Sequence, residues 1–181
     1  MEFVYLSREQ DNYKKQAALL LQENFKSYEK SDVALSEMDE LLDSEIICIV
    51  LIKENEVIGM IGGEPTYSGN VWELHPLVIK KAYQHQGIGS KLLAYFEKEV
   101  HSRGGMTIYL GSDDEDDLTS LSNRDIYENL YYHLENIKNK NNHPFSFYQK
   151  NGYKIVGVVP DANGYGKPDI MMAKRIGTIN K

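Results

Sequence analysis

Apolar positions along the chain change their period several times, and each change marks a predicted element. Residues 2–6 alternate weakly and read as a first strand. Ala17, Leu20, Leu21 and Phe25 share one face of a helix that Asp11 can cap. Ser36-Glu37-Met38-Asp39 has the form of a capping box and predicts a short helix through Leu42. Residues 46–52 are almost wholly apolar. With the polar turn Glu54-Asn55-Glu56 and residues 57–63 they make a hairpin pattern. A loop around Tyr67-Ser68-Gly69-Asn70 then leads into a strand at Val71–Ile79.

Beyond that strand, Ile88, Leu92, Phe96 and Val100 recur every four residues and give one apolar stripe to a helix through Arg103. Gly104-Gly105 ends it. Residues 106–110 read as a strand, and residues 118–140 as a polar helix whose apolar side is Leu121, Ile126, Leu130, Leu134 and Ile137. His143-Pro144 opens a last helix through Lys150, closed by Asn151-Gly152, before strands at Lys154–Val159 and residues 170–174. No repeat, low-complexity tract or linker interrupts this plan. The expectation is one mixed α/β domain over residues 1–181, large enough to bury roughly 70% of its unfolded surface.

Composition narrows the function classes. A hydrophobic content of 41% with 26% charged residues is that of an ordinary globular protein. No apolar run approaches the ~20 residues of a membrane span. The first eight residues lack the basic-then-apolar plan of a signal peptide, so a cytoplasmic protein without a membrane partner is expected. A formal charge of −7 disfavours nucleic acid and suits a cationic substrate. The one cysteine, Cys48, lies within Ile46-Ile47-Cys48-Ile49-Val50. It reads as a buried core residue rather than a catalytic thiol, and it rules out an intrachain disulfide.

The most informative stretch is Gln84-His85-Gln86-Gly87-Ile88-Gly89, between an apolar strand and a helix. Glycines there let backbone N–H groups approach an anion, and a helix N-terminus adds a favourable field. With Gln84, Gly87 and Gly89 matching Q-x-x-G-x-G, and Phe147, Tyr148, Gly152 and Tyr153 matching F-Y-x-x-x-G-Y/F, the chain resembles the GNAT superfamily of acetyl-CoA-dependent N-acetyltransferases. Three further stretches are similar to the aminoglycoside 6′-N-acetyltransferases of Gram-positive bacteria: Trp72-Glu73-Leu74-His75-Pro76-Leu77, Gly104-Gly105-Met106-Thr107-Ile108-Tyr109-Leu110-Gly111, and Asn163-Gly164 with Lys167-Pro168-Asp169-Ile170. The similarity runs over residues 46–174.

The resemblance implies a GNAT fold: a mixed, mostly antiparallel sheet of about six to seven strands, with a splayed parallel pair and flanking helices. It implies acetyl-CoA as cosubstrate, held by Leu77, Val78 and Ile79 and by Gln84, Gln86, Gly87, Ile88, Gly89, Ser90 and Lys91. The Leu77 N–H would polarise the thioester carbonyl. The implied reaction is direct acetyl transfer to the 6′-amine of an aminoglycoside, conferring resistance. The alternative acceptor is a polyamine, peptide or protein amine. Glu73 and His75 stand two apart on a strand and share a face, so both could serve deprotonation, although His75 could equally be a hydrogen-bonding strut. Tyr148 matches the tyrosine that relatives place near the thiol and is the candidate acid. A homodimer is expected from the same resemblance.

Two features speak to substrate and cofactor geometry. Pro76 has no N–H for a sheet ladder, which predicts an interruption in pairing with the neighbouring strand; an edge position is the other reading. Asp113-Asp114-Glu115-Asp116-Asp117 forms a strongly negative loop, costly unless a cation offsets it. A calcium loop fails because Leu118 and Arg124 replace the turn glycine and the bidentate glutamate. By similarity, Asp116, Glu73, Tyr67 and Phe25 would line the acceptor site. No metal is expected, since His75, His85, His101, His133 and His143 lack ligand spacing.

Overall fold

A run of six buried apolar residues cannot alternate between core and water, so the strand it forms must be covered on both faces. That strand is β2, Ile47–Lys53, in a computed structural model that describes residues 1–177. A turn at Glu54 and Asn55, both with left-handed φ (52° and 65°), reverses the chain into β3, Glu56–Thr66. β1 (Glu2–Tyr5) pairs with the free edge of β2, and β4 (Val71–Ile79) pairs with β3, all antiparallel.

One face of these strands carries α1 (Asp11–Asn24) and α2 (Ser31–Glu40), which bury Ala17, Leu20, Leu21, Ala34 and Met38 against Cys48, Val50, Met60 and Val78. The other carries α3 (Ile88–Ser102), whose stripe of Ile88, Leu92, Phe96 and Val100 is buried as its four-residue period requires. Gly63 makes that approach possible, because a Cβ there would collide with the Phe96 ring and the Glu73 carbonyl. Cys48 is buried, and burial pushes its thiol up to about 12, so it is a core residue.

With β5 at Thr107–Asp113, β6 at Lys154–Val159 and β7 at Asp169–Arg175, the strand order among the described residues is β1-β2-β3-β4-β5-β7-β6, a mostly antiparallel sheet in which β4 and β5 run parallel. By internal contacts the described residues divide into two compact units, Met1–Ile108 with Ile176 and Gly177, and Tyr109–Arg175. The second unit contains most of β5 (Thr107–Asp113), α4 (Leu130–Glu135), α5 (Phe145–Lys150) and the antiparallel pair β6 (Lys154–Val159) and β7 (Asp169–Arg175). Among the described residues no helix is long and apolar enough to cross a membrane.

Three sequence expectations are corrected. Asp11 does not cap α1: Gln10 is the N-cap residue, its side chain accepts the Ser7 N–H, and Asp11 pairs instead with Lys15. The second helix starts at Ser31 rather than Ser36, because Ala34 and Met38, four apart, already form its buried side; Ser36 is interior. Residues 118–140 do not form one helix. The Asp114 carboxylate takes the N–H groups of Leu118 and Thr119, and Thr119 bridges Asn139, so the segment folds back on itself. Left-handed Asn123 and Asn129 provide turns, and only Leu130–Glu135 is α-helical. Leu121 and Ile126 are buried, whereas Leu130, Leu134 and Ile137 are only half-buried.

Candidate active site

β4 holds the first group of site residues. It pairs Ile61 with Leu77 and Gly63 with Leu74, so His75 and Pro76 together oppose only Gly62. This is a β-bulge, at the residue that cannot donate to the ladder. It also reverses the facing of the strand. Before it, Trp72 packs beside Gly105 and under Arg103, on the α3 side. After it, Val78 belongs to the core under α1 and α2, while Ile79 faces Gly59 and Leu92 on the α3 side. Glu73 and His75 therefore look away from α3, toward α1 and α2, and the main chain changes its role immediately beyond them.

On that side the chain gathers carboxylates. Glu73 opposes Glu64 directly across β3 and β4, a like-charge pair that destabilises a sheet. Glu64 also lines a surface pocket with Glu37, Glu40, Leu41, Gly63 and His75. His75 Nε2 lies 3.0 Å from the Tyr28 hydroxyl and 3.5 Å from Glu37 Oε1. The hydrogen bond from His75 is the main reason the Glu37 carboxyl is held below its ordinary value, against the opposing effect of burial. Burial foremost, then the Glu37 charge, pushes the Tyr28 phenol up. Phe25 ends α1, and its ring meets Tyr28 edge-on at 6.0 Å between centroids. Tyr67 is exposed at the tip of the β3–β4 connection, with φ of 47°.

The second group is the turn between β4 and α3. Gly87 is the N-cap of α3, with φ of 76°, and a Cβ there would meet nothing within 4 Å. The first helical bond runs from the Lys91 N–H to the Gly87 carbonyl, which leaves the N–H groups of Ile88, Gly89 and Ser90 without an acceptor in a preceding turn. Gln84 and Gln86 donate to the carbonyls of Ile79 and Ala82, at 2.9 and 3.0 Å. Both amides thus hold the turn's own shape. A left-handed glycine followed by helical N–H groups with no acceptor in a preceding turn is an arrangement that can take a diphosphate.

The second unit contains Asp116 and Tyr148. Its acidic loop is tethered rather than a run of equivalent solvated charges. Asp114 is fully buried and accepts the Leu118 and Thr119 N–H groups at 2.6 and 2.9 Å and the Ser122 hydroxyl. Its own N–H meets the Pro168 carbonyl, Asn163 donates to the Asp113 carboxylate, and Lys167 Nζ donates to the Glu115 carbonyl. Asp116 is exposed. Behind the loop, His143 is buried and its Nδ1 accepts the Phe145 N–H, so Nε2 donates to the Asp113 carbonyl. Tyr148 lies on α5, buried between the rings of Phe147 and Tyr153. Burial raises its phenol well above the ordinary value, so it keeps its proton. Among the described residues no group of three His, Cys, Asp or Glu side chains is placed to hold a metal ion.

Residues 14–130 match the acetyltransferase (GNAT) family, and with the glycine turn and bulged strand this decides the matter. The chain belongs to the GNAT family. The crystal structure of an aminoglycoside 6′-N-acetyltransferase complexed with coenzyme A resembles this GNAT chain at a TM-score of 0.95 and 42% identity, over 100% of both chains. The aminoglycoside 6′-N-acetyltransferase from Enterococcus faecium gives 0.93 and 42%, again over 100% of both. An aminoglycoside 6′-acetyltransferase type Ii gives 0.78 and 38%, over 100% of this chain and 99% of the other. No curated protein sequence matches the chain. As a GNAT member it is an acetyl-CoA-dependent N-acetyltransferase.

Sequence reading of this acetyltransferase missed Tyr28, Glu37 and Glu64. Glu37 was absorbed into an apparent capping box, and Tyr28 carries no local signal among 13 tyrosines. The opposition of Glu64 and Glu73 needs the β3–β4 register, whereas the sequence shows there only a loop leading into a strand.

Proposed function

We propose that this protein is an aminoglycoside 6′-N-acetyltransferase, transferring acetyl directly from acetyl-CoA to the 6′-amine of aminoglycosides and thereby conferring resistance. The observation that carries the proposal is the 42% identity, over the whole of both chains, to an aminoglycoside 6′-N-acetyltransferase complexed with coenzyme A. The like-charge pair Glu64 and Glu73, beside Glu37 and Glu40, supports a polycationic acceptor. A bound ammonium would offset their mutual repulsion.

In this reading Gly87, Ile88, Gly89 and Ser90 bind the cosubstrate's diphosphate through main-chain N–H groups, with Lys91 beside them in the first turn of α3, on a turn that Gln84 and Gln86 keep in shape. Leu77, Val78 and Ile79, which follow the bulge and pair with β3, hold the extended pantetheine arm along β4. The Leu77 N–H polarises the carbonyl that the thioester supplies. Glu73 and His75 receive the 6′-ammonium; His75 takes its one proton and Glu73 assists through water. Tyr148, protonated throughout the working range, gives a proton to the departing thiolate. Asp116, Tyr67 and Phe25 contact the aminoglycoside. Both units form one catalytic domain, and the protein works as a cytoplasmic homodimer.

Glu73→Ala should lower turnover of a 6′-amino aminoglycoside about 100-fold, the scale of one lost proton-transfer or charge-pairing group. Its acetyl-CoA affinity, measured by calorimetry, should stay within about twofold of wild type. Unchanged kcat/KM for the antibiotic would remove Glu73 from the mechanism.

A further inference from the structure

The three groups Tyr28, His75 and Glu37 come from three separate elements and converge on a single ring nitrogen. The hydrogen positions can be worked out from what each group can offer. Glu37 is a carboxylate at neutral pH and can only accept. If His75 carried its proton on Nδ1, the bare Nε2 lone pair would face the Glu37 carboxylate at 3.5 Å, lone pair to lone pair. Tyr28 could relieve only one of those two acceptors, having one O–H. In the other arrangement the phenol donates to Glu37 and its oxygen accepts the His75 Nε2–H at 3.0 Å, which satisfies all three groups at once. That arrangement fixes the proton on Nε2. It leaves Nδ1 as the ring's acceptor.

We propose that Glu37, acting with Tyr28, is a positioning residue that locks His75 in the Nε2–H tautomer and so presents Nδ1 as the base for the acceptor ammonium. The inference deepens the acetyltransferase reading above and rests on it for the identity of the proton donor. The step is balanced: the substrate R–NH3⁺ gives one proton to Nδ1 and becomes R–NH2, and the ring becomes an imidazolium. Its Nε2–H then points at the Tyr28 oxygen and the Glu37 carboxylate, where the new positive charge is paired. The proton leaves to solvent after acetyl transfer. Glu37 is a better counter-ion for this than an exposed carboxylate, because its side chain is only 21% exposed.

The experiment uses the full-length protein and the variants Glu37→Gln, Glu37→Asp, Tyr28→Phe and His75→Asn. In ¹⁵N-histidine NMR of the protein without substrate, the His75 signals (assigned by their loss in His75→Asn) should show the Nε2–H tautomer. Glu37→Gln should shift the ring toward the Nδ1–H form, because the amide can donate to Nε2. In thiol-release kinetics Glu37→Gln should lower kcat about 10-fold or more with KM for the aminoglycoside within about twofold, and Glu37→Asp should recover part of the loss. In the His75→Asn background, Glu37→Gln should cause no further loss. An Nδ1–H ring in the wild type, or an equal Glu37→Gln loss with and without His75, would overturn the proposal. If the wild type acetylates no aminoglycoside, the proposed function fails by itself, and the NMR signature still decides the tautomer.

Discussion

Gly89→Asp is expected to weaken acetyl-CoA binding by about 100-fold or more while the protein stays folded. Gly89 is the second residue of α3, within the turn whose N–H groups have no helical acceptor. A carboxylate there competes for those donors and brings a negative charge toward the diphosphate. At about 5 Å and an effective dielectric of about 20, one like-charge pair contributes about 3 kcal/mol of repulsion. The same carboxylate is favourable for the fold, because an acid in the first turn of a helix stabilises it by about 0.3–1 kcal/mol. The two effects therefore have opposite signs, and this separates them. Calorimetry with acetyl-CoA should show the loss, and a thermal melt should show an unchanged or slightly raised Tm. Wild-type affinity in this variant would mean that the cofactor turn lies elsewhere.

Asp114→Ala should destabilise the protein by about 3 kcal/mol, since it strands three donors around a carboxylate that had satisfied them all. For a chain of this length that corresponds to a Tm lower by about 6–12 °C. The effect has a defined pH dependence. Burial alone would raise the Asp114 carboxyl, but the hydrogen bonds from Ser122, Thr119 and Leu118 outweigh it and hold the group below its ordinary 3.8. A depressed folded value means that the stabilisation is complete above pH 3.8 and is lost as the pH falls through the folded value. The gap between wild type and variant, followed by thermal melts, should be constant from pH 8 to about 5 and should narrow only in stronger acid. A gap that widens on acidification would show that the carboxylate is not the acceptor described.

The acidic run illustrates what a sequence can and cannot convey. Five adjacent carboxylates announce a strong field, yet nothing in their order distinguishes Asp114, fully buried as a structural acceptor, from Asp116, exposed two residues later. That distinction depends on Ser122 and Pro168 reaching the loop from elsewhere in the chain. The α3 stripe was legible because its period is local and its face is buried throughout. The helix pattern over residues 118–140 misled for the complementary reason. Its apolar spacing is real, but Asp114 takes up the N–H groups on which a helix would have begun, and left-handed asparagines divide the rest.

The proline at 76 shows a single residue predicting geometry correctly. A missing donor implied an interruption in pairing, and the β3–β4 register skips there. The reversal of facing that follows could not be read from the sequence, because Trp72, Leu74 and Val78 keep their alternate spacing while the cores they enter exchange. Glu37 and Tyr28 were invisible for a related reason: their meeting with His75 is made by packing across three elements and by no motif.

The most direct test of the central claim is thiol release from acetyl-CoA with matched aminoglycosides that differ only in bearing a 6′-amine or a 6′-hydroxyl. Turnover is expected with the amine and none with the hydroxyl. Turnover with neither, but with spermidine or a peptide amine, would contradict that claim and assign this acetyltransferase a different acceptor.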